Sequence, residues 1–120
     1  TWPTTEHYFQ AQKFRGTPSE ERVRAAPSPG DAARMGRNLP GLRADWEDVK
    51  DEVMLVALRA KFGQHAKLKR LLLETGERPL VEHTTNDRYW ADGGDGSGKN
   101  RLGALLMVVR DELRAAPGHR

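Results

Sequence analysis

The 120-residue sequence contains no cysteine, and this absence removes several classes of function at once. A disulfide scaffold, a thiolate nucleophile and any cysteine-ligated zinc or iron–sulfur centre are excluded. No two of the four histidines have the spacing of metal ligands, so we predict neither a metal site nor a cofactor. A chain without cysteine is compatible with a reducing compartment, and we predict a cytoplasmic location.

Long apolar runs and a strong excess of one charge are also missing. No stretch approaches the length needed to span a bilayer, and nothing resembles a signal peptide, so we predict no membrane partner. Twenty lysines and arginines oppose seventeen acidic residues, which gives a formal charge of +3 with the two signs interspersed. An excess this small is compatible with anionic ligands, including phosphates and nucleic acid, without requiring them.

What the sequence does contain is helical periodicity, and its length predicts a single domain over residues 1–120. Apolar spacings and capping residues predict six helices, at about residues 2–14, 19–25, 29–36, 46–62, 67–74 and 101–115. Ser19 is the predicted cap of the second helix and Ser28 that of the third. Residues 80–83 form the only good strand candidate. A polar, glycine-rich loop follows, and a loop of this length in a small domain is often functional.

The first helix carries an unusual polar stripe. Positions i, i+4 and i+7 share one helix face, so Glu6, Gln10 and Lys13 line up, with bulky aromatic side chains close by. Such surroundings perturb pKa values and build sites. The alternative is that Glu6 and Lys13 form a solvated edge.

The glycine-rich loop invites a nucleotide-binding interpretation that the sequence does not support. Gly93, Gly98 and Lys99 match G-x-x-x-x-G-K, but Asn100 replaces the magnesium-binding serine or threonine, and no alternating strand–helix pattern surrounds the motif. A general anion site at the start of the last helix is the weaker prediction that remains. Trp90, in a loop, is predicted to stack on a ring.

Four blocks of sequence, in order, resemble the NADAR superfamily and most of all its YbiA-like branch: WPTTEHYFQAQKF, SPGDAARMGRN, DWEDVKDEVMLVALRAKFGQH and LVEHTTNDRYWADGGDGSGKNRLGALLMVVRDEL. The resemblance implies an α+β fold, predominantly helical with a small β component. It also implies an N-glycosidase that cleaves a base from a ribose in phosphorylated ribosylaminopyrimidine intermediates of the riboflavin pathway. Removal of ADP-ribose from guanine in nucleic acid is the alternative reaction in the superfamily.

The resemblance also assigns roles to residues. Glu6 matches the family's glutamate and is predicted as the main acid/base group, with Asp92 as a second carboxylate. Lys13 is the alternative, as an amine that forms a Schiff base. The residues predicted to bind substrate are Gln10, Arg37, Trp46, Asp87, Trp90, Lys99 and Asn100. Among them the two tryptophans are candidates for the base, and Arg37, Lys99 and Asn100 for the phosphate.

Several alternatives stay open. Asp87 and Glu82 match family positions, but each is also a candidate for holding the loop through hydrogen bonds. Core packing is the strong alternative for Trp46. Ala91 stands where the family commonly has glycine, and family members normally carry a further segment before Trp2, which we expect this chain to lack. A non-catalytic module that binds ADP-ribose or NAD, or a helical protein-interaction domain, are the alternatives from other classes.

Overall fold

The computed structural model describes residues 2–82 and 87–115, which form six α-helices and no β-strand. The helices are α1 (Thr5–Gln12), α2 (Pro18–Arg24), α3 (Pro29–Asn38), α4 (Trp46–Gln64), α5 (Ala66–Glu74) and α6 (Arg101–Ala115). None of them is long and apolar enough to cross a membrane.

The predicted α+β fold class, with its small β component, is therefore wrong, and the described part of the chain is all-α. Residues 80–82 of the strand candidate have an irregular conformation, while His83 lies outside the described residues. The side chain of Asn100 takes the place of a neighbouring strand. Its Oδ1 accepts from the Glu82 amide at 2.8 Å, and its Nδ2 donates to the Leu80 carbonyl at 2.9 Å.

Capping residues explain where the first helices begin. Ser28 caps α3 as predicted, because its Oγ accepts from the Asp31 amide at 3.1 Å. The first helix begins three residues later than predicted, since Thr4 is its N-cap and its Oγ1 accepts from the His7 amide. The helix predicted to follow a Ser19 cap instead begins at Pro18, with Thr17 as N-cap.

The chain divides into two compact units, Thr1–Ala57 and Leu58–Arg120, with the division inside α4. In the first unit, α1, α2 and α3 pack on one another around a small apolar cluster: Ala11, Phe14, Val23, Ala26 and Ala32. His7 belongs to this framework, because it is 2% exposed and its ring nitrogens contact Thr4 Oγ1 at 2.7 Å and the Ala26 carbonyl at 2.9 Å.

In the second unit, α5 packs against α6, and a buried arginine joins them. Arg110 of α6 donates from Nη1 to Thr75 Oγ1 and to the Arg78 carbonyl, both at 2.8 Å. A cation at this point also interacts favourably with the negative end of the α5 dipole.

The organisation of residues 1–120 as a single domain stays a prediction.

Candidate active site

The polar stripe predicted on the first helix is present on α1, where two of its members are joined directly. Gln10 Nε2 donates to Glu6 Oε1 at 2.7 Å. Lys13 follows as the C-cap of α1, and its Nζ reaches the carbonyl oxygen of Gly36 on α3 at 3.4 Å. A carboxylate, an amide and an ammonium group thus line one side of the first unit.

Aromatic rings border this stripe. Phe9 and Trp46 are 5% and 6% exposed and meet edge to face, with their centroids 5.2 Å apart and their planes at 64°. Lys13 Nζ lies 6.0 Å from the Phe9 centroid and 5.9 Å from the Trp46 centroid. The rings therefore exclude water from one side of the Lys13 amine while their faces attract its charge.

Burial lowers the pKa of the Lys13 ammonium below its usual value of 10.5. The Glu6 carboxylate opposes this effect, whereas the positive charges of Arg37 and Lys50 reinforce it. Lys13 thus carries the neutral, nucleophilic amine more readily than an exposed lysine does. Lys50, which the sequence analysis did not select, has only 14% of its side chain exposed and pairs with Glu47 at 2.8 Å.

The structure places Gln10 deeper than a substrate-binding role predicts. Its side chain is 8% exposed, and its Oε1 is buried without a hydrogen-bond donor among the described residues. That oxygen faces Gly36, where a Cβ atom would lie 1.9 Å away. Gly36 was missed at the level of sequence, although a lone glycine inside a helical pattern often signals a packing or functional reason.

The predicted residues of the second unit lie in the loop between residues 87 and 100. Asp87 Oδ1 accepts hydrogen bonds from the amides of Tyr89 and Trp90 at 2.9 and 2.7 Å. These bonds fit the alternative role of Asp87, in which it holds the loop. Trp90 is half-buried and meets the Tyr89 ring edge to face at 4.9 Å. Asp92 is 5% exposed, and its Oδ1 accepts from the Gly94 amide at 2.7 Å.

The start of α6, predicted as an anion site, uses its amides within the loop. The amides of residues 99–102 donate to the carbonyls of residues 88, 91, 89 and 90, at 2.7 to 2.9 Å. These four N–H groups are therefore not free to bind a phosphate. The Asn100 side chain is occupied with residues 80 and 82, whereas Lys99 is exposed, with Nζ 5.6 Å from the Tyr89 centroid.

The predicted site residues thus form two sets, one in each unit. The first contains Glu6, Gln10 and Lys13 with Trp46 beside the amine, and the charge of Arg37 acts on the same amine. The second is the loop set of Asp87, Trp90, Asp92, Lys99 and Asn100. The described residues include no group of three or more histidine, aspartate or glutamate side chains that could hold a metal ion.

A helix-borne carboxylate next to a partly buried amine and aromatic rings is the arrangement of an acid/base or Schiff-base site. The chain belongs to the NADAR family, whose domain model matches residues 1–114. The resemblance noted from the sequence is thereby confirmed.

Individual relatives agree with this assignment. The chain is 61% identical to the N-glycosidase YbiA of Shigella boydii over 94% of this chain and 71% of that protein. It is 46% identical to a riboflavin biosynthesis protein of Vibrio vulnificus, over 94% of this chain and 31% of that longer protein. The NMR structure of Escherichia coli YbiA superposes with a TM-score of 0.85 at 60% identity, covering 93% of this chain and 67% of that one.

Proposed function

We propose that this chain hydrolyses the bond between base and ribose in a phosphorylated ribosylaminopyrimidine of the riboflavin pathway. The enzyme class, an N-glycosidase, is confirmed by relatives that carry that name at about 60% identity. The narrower substrate is a proposal, supported by the relative named for riboflavin biosynthesis.

The observation that carries the proposal is the pairing of Glu6 with Gln10 beside the amine of Lys13. An N-glycosidic bond breaks through a centre with oxocarbenium character, so a positioned carboxylate is needed to activate water and to move a proton toward the departing base. Because Gln10 fixes one oxygen of Glu6 at 2.7 Å, the carboxylate keeps a defined direction. We assign the acid/base role to Glu6.

Lys13 offers a covalent route to the same products. Its neutral amine would attack the anomeric carbon, and the bond to the base nitrogen would break as that nitrogen gains a proton. The lysine glycosylamine formed in this way would open its ring, as the bond from the anomeric carbon to the ring oxygen breaks and a proton moves from the amine nitrogen to that oxygen, which gives a lysine–sugar imine. Water would then cleave the imine, releasing the ribose phosphate and regenerating the amine. The lowered pKa of Lys13 supports this route, and Glu6 would carry the protons in it.

Further residues in each unit are candidates for contact with the substrate. The exposed Arg37 is the cation of the first unit that we assign to the phosphate, because its charge already acts on Lys13. Lys99 is a second candidate for the phosphate, since its ammonium is exposed. Trp46 and Trp90 remain candidates for contact with the base, and Asp92 for the second carboxylate.

Release of free base from the ribosylaminopyrimidine phosphate tests the proposal, with Glu6→Gln compared to wild type. Glu52→Gln makes the same chemical change at an exposed position of α4 and serves as the matched control. We expect turnover in wild type and in the control, and a loss of about 100-fold or more in Glu6→Gln, as is typical when a general acid/base is removed.

Other results would redirect the proposal. If wild type released ADP-ribose from modified guanine instead, the bond class would stand and the pyrimidine substrate would be wrong. Ligand binding without any turnover would indicate a non-catalytic module. Borohydride reduction during turnover, followed by mass spectrometry, distinguishes the two routes, because only the covalent one leaves the sugar attached to Lys13.

A further inference from the structure

Gly36, on α3, contacts two members of the α1 stripe, Lys13 and Gln10. Its carbonyl oxygen accepts from Lys13 Nζ at 3.4 Å, and its bare Cα faces the buried amide of Gln10. Neither the predicted site residues nor the family comparisons assign it a role.

The space at this glycine is fully used by Gln10. A Cβ on Gly36 would lie 1.9 Å from Oε1, 2.6 Å from Cδ and 3.3 Å from Cβ of Gln10. Gln10 is 8% exposed, so its amide has little room to withdraw without leaving Glu6. Any side chain at position 36 therefore displaces the donor that holds the carboxylate.

We propose that Gly36 is a positioning residue for the reaction, and this inference rests on the proposed function. Its missing side chain keeps the Gln10 amide against Glu6, and its carbonyl holds the Lys13 amine close to the aromatic rings. A backbone carbonyl is suited to holding the Lys13 amine, because it accepts a hydrogen bond from the ammonium. It carries no charge that would restore the usual pKa of the lysine.

The test combines turnover with a measurement that needs no substrate. Gly36→Ala is compared with Gly63→Ala, which adds the same methyl group to α4 where no atom lies within 4 Å. We expect Gly36→Ala to lower kcat by about 10- to 100-fold with little change in KM, because small misplacements of catalytic groups have effects of this size. Gly63→Ala should leave both constants unchanged.

A double variant separates positioning from a merely structural role. Gly36→Ala combined with Gln10→Ala removes the atoms that a new Cβ would meet, so the steric conflict disappears. If Gly36 acts through Gln10, the double variant should lose no more kcat than Gln10→Ala alone, because the amide donor of Glu6 is already absent. If the losses of the two single variants instead add up in the double variant, Gly36 does not act through Gln10 and the inference is wrong.

The side-chain amide resonances of Gln10 in a ¹⁵N–¹H spectrum provide the measurement that is independent of turnover. They should shift in Gly36→Ala and in Glu6→Gln, but not in Gly63→Ala. Unchanged Gln10 resonances, or unchanged kcat, in Gly36→Ala would overturn the inference. If the resonances shifted while wild type cleaved no glycosidic substrate, the proposed function would fail and the contact through Gly36 would be established.

Discussion

Gly103, in the first turn of α6, gives the sharpest prediction about stability. A Cβ at this position would lie 2.1 Å from the Leu80 carbonyl oxygen, and 2.4 and 2.7 Å from the side-chain nitrogen and oxygen of Asn100. The first of these atoms belongs to the backbone and cannot rotate away. The substitution Gly103→Ala must therefore move residues 80–82 away from α6.

The cost follows from the contacts that would be lost. Asn100 makes two hydrogen bonds to this segment, at 2.8 and 2.9 Å, and each is worth about 1 kcal/mol. Overpacking adds about 1–3 kcal/mol, while the better helix propensity of alanine returns at most about 1 kcal/mol. We expect Gly103→Ala to lower the free energy of unfolding by about 2–4 kcal/mol, a large part of the total for a chain of this size.

Urea denaturation followed by circular dichroism measures this difference. Gly63→Ala is again the control, since its Cβ meets nothing within 4 Å and the change should stabilise the chain by up to about 1 kcal/mol. If Gly103→Ala proved as stable as Gly63→Ala, the close approach of residues 80–82 to α6 would be refuted.

Three further predictions concern charged groups. Burial lowers the pKa of Lys13 in the folded state, so the charged ammonium destabilises the folded state at pH values below this lowered pKa. The destabilisation disappears as the pH rises toward the usual value of 10.5. Wild type should therefore gain Tm relative to Lys13→Met as the pH rises from neutral to about 10.5, and a difference that stayed constant with pH would contradict this. Arg110→Met should lower the free energy of unfolding by about 1–3 kcal/mol in the same urea assay, through loss of two charged hydrogen bonds, whereas the exposed Arg70→Met should have no measurable effect. Asp92→Asn retains an acceptor for the Gly94 amide, so Tm should stay near that of wild type while base release falls; full turnover would remove Asp92 from the proposed machinery.

Features that depend on local geometry could be predicted from the sequence. Glu6, Gln10 and Lys13 share a face because helical spacing requires it, and Ser28 caps α3 because its hydroxyl reaches the third amide along the chain. The six helices were predicted for the same reason, with errors of a few residues at their ends. Residues close in sequence are enough to determine these features.

Features that depend on contacts between distant segments could not be predicted in this way. Residues 80–82 have a strand-like sequence, but the Asn100 side chain satisfies their backbone instead of a neighbouring strand. The first amides of α6 were expected to face an anion, but they donate hydrogen bonds to carbonyl groups of the preceding loop. Helix and strand propensity and residue spacing do not reveal which polar side chain, eighteen or twenty residues away, will form hydrogen bonds with a given backbone group.

The two helical glycines with crowded neighbours, Gly36 and Gly103, show that a glycine inside a helix can have two different consequences. Glycine inside a helix is usually a weakness, but at Gly36 and Gly103 it is the residue that permits close approach of another segment. At Gly103 the nearest atom is a backbone carbonyl, so a methyl group there should mainly reduce stability. At Gly36 the nearest atoms end a side chain that can be displaced, so Gly36→Ala should reduce stability less and turnover more, because the displaced amide is the one that orients Glu6.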